Sequence, residues 1–158
     1  MTDPNGDRAQ DDVVVRDAAH GLTLRVPAET ADGVPVALDR DERDGAHRLH
    51  AHTPDGSSVY VEVVSYPGLM DHDTAIADQQ AYLRVRAPGA AIGPVRPATV
   101  AGRAATAFEF AGALEGVRRR RWFAFLDTAQ RTVRVVHDPG SPVNDAILAT
   151  LTLDDGPA

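Results

Sequence analysis

Arg103-Ala-Ala-Thr-Ala-Phe-Glu-Phe-Ala111, Val117-Arg-Arg-Arg-Arg-Trp-Phe-Ala-Phe-Leu126 and Arg131-Thr-Val-Arg-Val-Val-His137 follow one another with little between them. Valine, threonine and aromatic residues recur in these runs, and the gaps at 112–116 and 127–130 have hairpin lengths. Three consecutive antiparallel strands are expected here, and they decide the fold class. Strand alternation also splits the four arginines between two faces. Arg118 and Arg120 go with Trp122, Ala124 and Leu126; Arg119 and Arg121 go with Phe123 and Phe125.

If Ala111 faces Val117 and Leu126 faces Arg131, Glu109 stands opposite Arg119 and Arg134 opposite Phe123. One face then collects Phe108, Phe110, Trp122, Leu126, Val133 and Val135 as core. The other collects Arg119, Arg121, Arg134, Phe123 and Phe125, with Glu109 as the nearby acid. Those five residues are the candidate partner contacts, because guanidinium forks match carboxylates and arginine is enriched at interfaces. A slip of one residue in either hairpin would exchange the faces.

Outward from this centre, residues 95–100 are broken by Pro94 and Pro97 and read as an edge strand. Residues 58–66 are apolar on both faces, as in a strand covered on both sides. Between them, residues 71–86 switch to helical spacing, with Asp71 or Asp73 at the start and Pro88-Gly89 as the stop. Residues 13–17, 22–26, 34–38 and 47–53 read as strands; Arg40-Asp-Glu-Arg-Asp-Gly45 reads as a charged turn and Pro54-Asp55-Gly56 as another. The last element is a helix with Ser141 as N-cap, Pro142 in its first turn, and Val143, Ile147 and Leu151 on one side. The expected fold is α+β: a single-domain antiparallel sheet of about 6–8 strands with two main helices packed on it. Residues 1–12 and 154–158 read as polar tails around a domain at 13–153.

Composition excludes several chemistries. The chain has 158 residues, enough for one domain. It has no cysteine, which removes disulfides, thiolate metal sites and a cysteine nucleophile. All 16 basic residues are arginine, so no Schiff base and no Walker-type lysine exists. The net charge of -7 argues against nucleic acid, whose binding depends on neutralising phosphates. No apolar run approaches membrane-spanning length. The opening MTDPNGDRAQDD lacks the basic start and apolar stretch of a signal peptide, so a cytoplasmic location is expected.

Several segments together resemble the PsbP/Mog-like fold family. They are Gly21-Leu-Thr-Leu-Arg-Val-Pro27, the strand at 58–66 with its following helix, Val100-Ala-Gly-Arg-Ala-Ala-Thr-Ala-Phe108, the long hairpin, and the terminal Ile147-Leu-Ala-Thr-Leu151. The resemblance covers residues 13–153 and is one of layout and apolar rhythm. It implies an α/β/α sandwich and a non-enzymatic role as adaptor, assembly factor or secretion chaperone.

Other residue groupings bear on chemistry. His50 and His52 share a strand face, a spacing that metal sites use. The cupin pattern fails, with Asp44 where a glycine should stand and Glu62 as the nearest glutamate downstream of the histidines, so no metal is expected. Asp71-His72-Asp73 reads as helix capping. No Gly-x-Ser-x-Gly elbow is present, and Glu62 and Glu109 read as salt-bridge partners. No catalytic residue and no cofactor is expected. The leading expectation is a protein-binding adaptor or chaperone module whose partner has an acidic surface, with homodimerisation compatible. The alternatives are a small-ligand or anion-binding domain, and an enzyme with a spatially assembled site.

Overall fold

The computed structural model describes residues 12–17, 21–54 and 59–154. Most of both expected tails (1–11 and 155–158) and the Asp55-Gly56 part of the expected turn lie outside these. Among the described residues, no helix is long and apolar enough to cross a membrane.

The architecture is β-rich, which corrects the expected two-helix sandwich. Among the described residues, strands take 54% and helices 17%, and eleven strands form two antiparallel sheets. In chain order the elements are β1 (Val13–Asp17), β2 (Leu22–Val26), β3 (Ala37–Arg43), β4 (Ala46–His52), β5 (Tyr60–Pro67), α1 (His72–Arg86), β6 (Ala91–Ile92), β7 (Arg96–Val100), β8 (Arg103–Leu114), β9 (Val117–Asp127), β10 (Arg131–His137), α2 (Pro142–Ala149) and β11 (Thr152–Leu153). The large sheet runs β3-β4-β5-β10-β9-β8, and β8 carries β6 and β7 along its outer side. The small sheet is β1-β2-β11.

Each face of the large sheet has its own core. On one face Leu49, Val61, Val63, Ala124, Leu126, Val133 and Val135 pack with Val15, Leu24 and Val26 of the small sheet and Ile147 of α2. The expected helical layer is therefore a small sheet with one short helix. On the other face α1 lays Ala75, Ile76 and Leu83 over Phe108, Phe110, Phe123, Phe125 and Val136. Each fully buried phenylalanine contributes roughly 1.5–3 kcal/mol, so this second core is a major determinant of where α1 sits. Asp71 caps it, accepting from the Asp73 N–H at 3.2 Å and the Thr74 hydroxyl at 2.9 Å.

Two expected segments are corrected by the ladder. The charged stretch read as a turn is the body of β3, paired from Ala37–His52 to Arg43–Ala46. The turn itself is only Asp44-Gly45, both at positive φ. An edge strand exposed on both faces tolerates charges, and charges there discourage edge-to-edge pairing. At the arginine hairpin β8 continues to Leu114, which pairs with Val117 across Glu115-Gly116, again both at positive φ. The register thus moves three residues from the expected one. An odd shift turns β8 over: Phe108 and Phe110 leave the Trp122 face and stand opposite Phe123 and Arg121. Glu109 goes with Trp122 and reaches Arg120 at 3.6 Å. In the next hairpin Leu126 pairs with Val133 and Arg134 with Phe125, a shift of two that preserves the faces.

Candidate functional site

α1 covers only part of the sheet face beneath it. Beside the helix an open groove of about 920 Å³ runs over β5, β10 and β9. All five partner-contact candidates, Arg119, Arg121, Phe123, Phe125 and Arg134, line it. Their roles differ. Phe123 and Phe125 are buried floor, with Phe123 stacked on Phe108 at 5.0 Å between centroids. They shape the groove and hold α1, and they offer little surface to a partner.

Arg134 is committed on two sides. It donates to Glu62 Oε1 at 2.6 Å and to Gln79 Oε1 of α1 at 2.8 Å. Its Nε is buried with no hydrogen-bond partner among the described residues. Glu62 also accepts from Arg48 Nε of β4 at 2.7 Å, so one carboxylate joins two guanidiniums. Burial alone would push the Glu62 carboxyl up, but Arg134 and Arg48 outweigh it and hold the group below the ordinary carboxylate range. Glu62, and not Glu109, is therefore the acid of this face. Its signal in the sequence was a lone charge inside a strand that is apolar on both sides.

Arg121 is held the same way. Its guanidinium lies 3.7 Å over the Tyr60 ring, and its Nε donates to Asp138 Oδ1 at 3.2 Å. Burial raises the Asp138 carboxyl, and the cations of Arg121 and Arg119 oppose that rise. Asn144 of α2 positions both partners: its Oδ1 accepts from the Tyr60 N–H at 3.0 Å, and its Nδ2 donates to the Asp138 carbonyl at 3.0 Å. The groove is thus braced from the far side of the sheet. Tyr60, Gln79, Asp138 and Asn144 carry no motif, so sequence reading missed them.

Around this polar centre stand exposed apolar side chains. Met70, Tyr82 and Val117 line the groove, and Leu69 and Val85 lie next to it in the chain or on α1. Arg86 and Glu115 pair loosely at 3.7 Å on the same rim. The lining holds four arginines against the acids Glu62, Asp78 and Glu115, in a chain that is -7 overall.

The chain matches no protein-family model and no curated protein sequence. Function therefore rests on what these residues do.

His72 Nε2 stands 2.7 Å from Asp127 Oδ1, and the Thr132 hydroxyl donates to the same oxygen at 2.7 Å. The hydroxyl is wired to the carboxylate and not to the ring, whereas nucleophile activation needs it on the base. Thr132 also accepts from the Met70 N–H at 2.8 Å, so this cluster ties the approach to α1 onto β10. His50 and His52 do share a face, and β3 brings Asp39 up to them. Burial and the Arg48 cation hold His50 down to about 4, so its ring is neutral near pH 7.

Proposed function

We propose that the chain is a non-enzymatic binding module, a cytoplasmic adaptor or chaperone, that seats a segment of another protein in the groove beside α1. The observation that carries this reading is the pairing of an exposed apolar rim (Met70, Tyr82, Val117) with an arginine-bearing polar floor in one groove. Exposed apolar side chains gathered around a concavity favour protein contacts. Arginine with buried aromatic neighbours is the composition that interfaces enrich. The matching segment has apolar side chains for the rim and a carboxylate near Arg119 and Arg86. The adaptor or chaperone role implied by the PsbP/Mog-like resemblance agrees with this assignment.

The test is photo-crosslinking in the cell with a benzophenone side chain at position 82 or 117, and at Thr152 of the small sheet as control. One discrete protein adduct is expected at both groove positions and not at the control. Equal adducts at all three positions, or none at the groove, would overturn the reading. An adduct to a second copy of this chain would make the occupant a homodimer partner. A second reading, a small anionic ligand, is favoured by the groove volume, which lies in the range of ligand pockets. Native mass spectrometry of gently purified protein distinguishes it: a retained small acid would support the ligand.

A further inference from the structure

We propose that Asp39, His50 and His52 form a binding site for a divalent transition-metal ion of the zinc class at the β3–β4 edge of the large sheet. Asp39 lies directly across the ladder from His50, and His52 follows two residues along β4. The two rings emerge on the same side and stack with centroids 4.5 Å apart. One ligating atom from each of the three residues lies within 4.8 Å of the other two. Bonds of about 2.0–2.2 Å to zinc place ligands roughly 3.3–3.5 Å apart. Ligation therefore draws the wider-spaced atoms together and opens the 2.7 Å Asp39–His52 contact slightly, and the exposed Asp39 side chain can make both adjustments by rotating about its own bonds.

His52 is already oriented for ligation. His52 Nδ1 is 3.2 Å from the Thr53 carbonyl, which only accepts, so Nδ1 carries the hydrogen. Nε2 then faces Asp39 Oδ2 at 2.7 Å. A metal ion taken by both atoms would hold them roughly 3.3–3.5 Å apart, so the pair needs to open by less than about 1 Å. The carbonyl behind Nδ1 is the outer hydrogen bond that commonly aligns a ligating histidine. His50 is wedged between His52 and the edge of the Tyr60 ring, 4.6 Å between centroids, and its Nε2 is buried without a hydrogen-bond partner among the described residues. Ligation through that nitrogen removes the unmet group; it places the ring hydrogen on Nδ1 and releases the Arg48 Nη2 contact there. Arg48 keeps its bonds to Glu62 and Asp41, and those two carboxylates offset its charge beside the site.

Two imidazole nitrogens and one carboxylate select zinc-class ions over magnesium or calcium, which prefer oxygen ligands. Water completes the coordination on the exposed side. This site is separate from the groove reading and stands or falls alone.

The experiment uses the full chain without an affinity tag, freed of metal by a chelator and dialysed. Zn²⁺ is titrated calorimetrically, and Co²⁺ is added as a spectroscopic probe. One saturable equivalent is expected, with visible Co²⁺ bands and a thermal midpoint that rises with Zn²⁺. Asp39→Ala and His52→Gln should each weaken binding by at least about tenfold. His72→Ala, which breaks the His72–Asp127 pair elsewhere, should leave binding unchanged, and Mg²⁺ should not compete. No saturable binding, or binding that survives both Asp39→Ala and His52→Gln, overturns the assignment. So does equal loss in His72→Ala. Circular dichroism of each variant confirms that it is folded.

Discussion

Glu62→Gln keeps the shape of the acid that joins β4, β5 and β10 and removes only its charge. Glu62 accepts from Arg48 at 2.7 Å and from Arg134 at 2.6 Å, with its side chain 10% exposed. Breaking a buried ion pair from one side costs about 3–5 kcal/mol. Glutamine retains one acceptor oxygen, Arg134 retains Gln79, and Arg48 retains Asp41. The expected loss is therefore smaller, about 2–3 kcal/mol. At roughly 2–4 °C per kcal/mol for a chain of this size, the thermal midpoint should drop by about 4–12 °C. The effect also has a pH signature. The folded carboxyl titrates below its ordinary value of 4.5, so the ionised state favours folding. That contribution is complete above about pH 4.5 and is lost as pH falls through the folded value. Wild type and Glu62→Gln should differ most near neutrality and converge in acid. The assay is urea unfolding from neutral to acid pH, with an Arg134→Met double-mutant cycle to isolate the pair. A neutral-pH loss below about 0.5 kcal/mol, the range of exposed pairs, would refute the view that this carboxylate organises the groove floor.

His137 packs edge-on to Trp122 at 5.0 Å; burial holds its ring below the ordinary 6.5 while Asp145 and Glu109 oppose that shift. Its neutral form favours folding, so its contribution is present above about pH 6.5 and is lost as pH falls through the folded value; His137→Phe should shallow the acid limb of the stability curve measured by urea midpoints. A Cβ at Gly112 would sit 2.6 Å from the Ala90 Cβ. Gly112→Ala should therefore cost about 1–3 kcal/mol by overpacking, and adding Ala90→Gly should recover most of it in thermal melts. Phe108→Ala removes a buried ring of the α1 core and should cost about 3–5 kcal/mol; chemical denaturation measures it, and a loss no larger than in an exposed Val117→Ala control would contradict the packing described.

Sequence alone determined what depends on near neighbours. Alternation placed Arg121, Phe123 and Phe125 on one side of β9, because successive side chains of a strand point oppositely whatever the strand pairs with. Asp71 and Ser141 were legible as caps because a cap bonds amides two or three residues away. Pro94 and Pro97 marked an edge because proline donates no ladder hydrogen bond. Tertiary structure decided the rest. Whether Phe108 faces the arginines depends on a hairpin turn of two residues or five, and Glu115 at φ 52 gives little local warning of the tighter one. The shared role of Glu62 needed Arg48 from one neighbouring strand and Arg134 from the other, residues 14 and 72 positions away. Asp39 had no assignment, lying between the strand read at 34–38 and the charged turn read from Arg40, until β3 paired with β4 and set it against His50 and His52. The second helical layer was misjudged for the same reason: an apolar sheet face accepts a strand pair or a helix equally well, and only the packed chain shows that β1, β2 and β11 took the place.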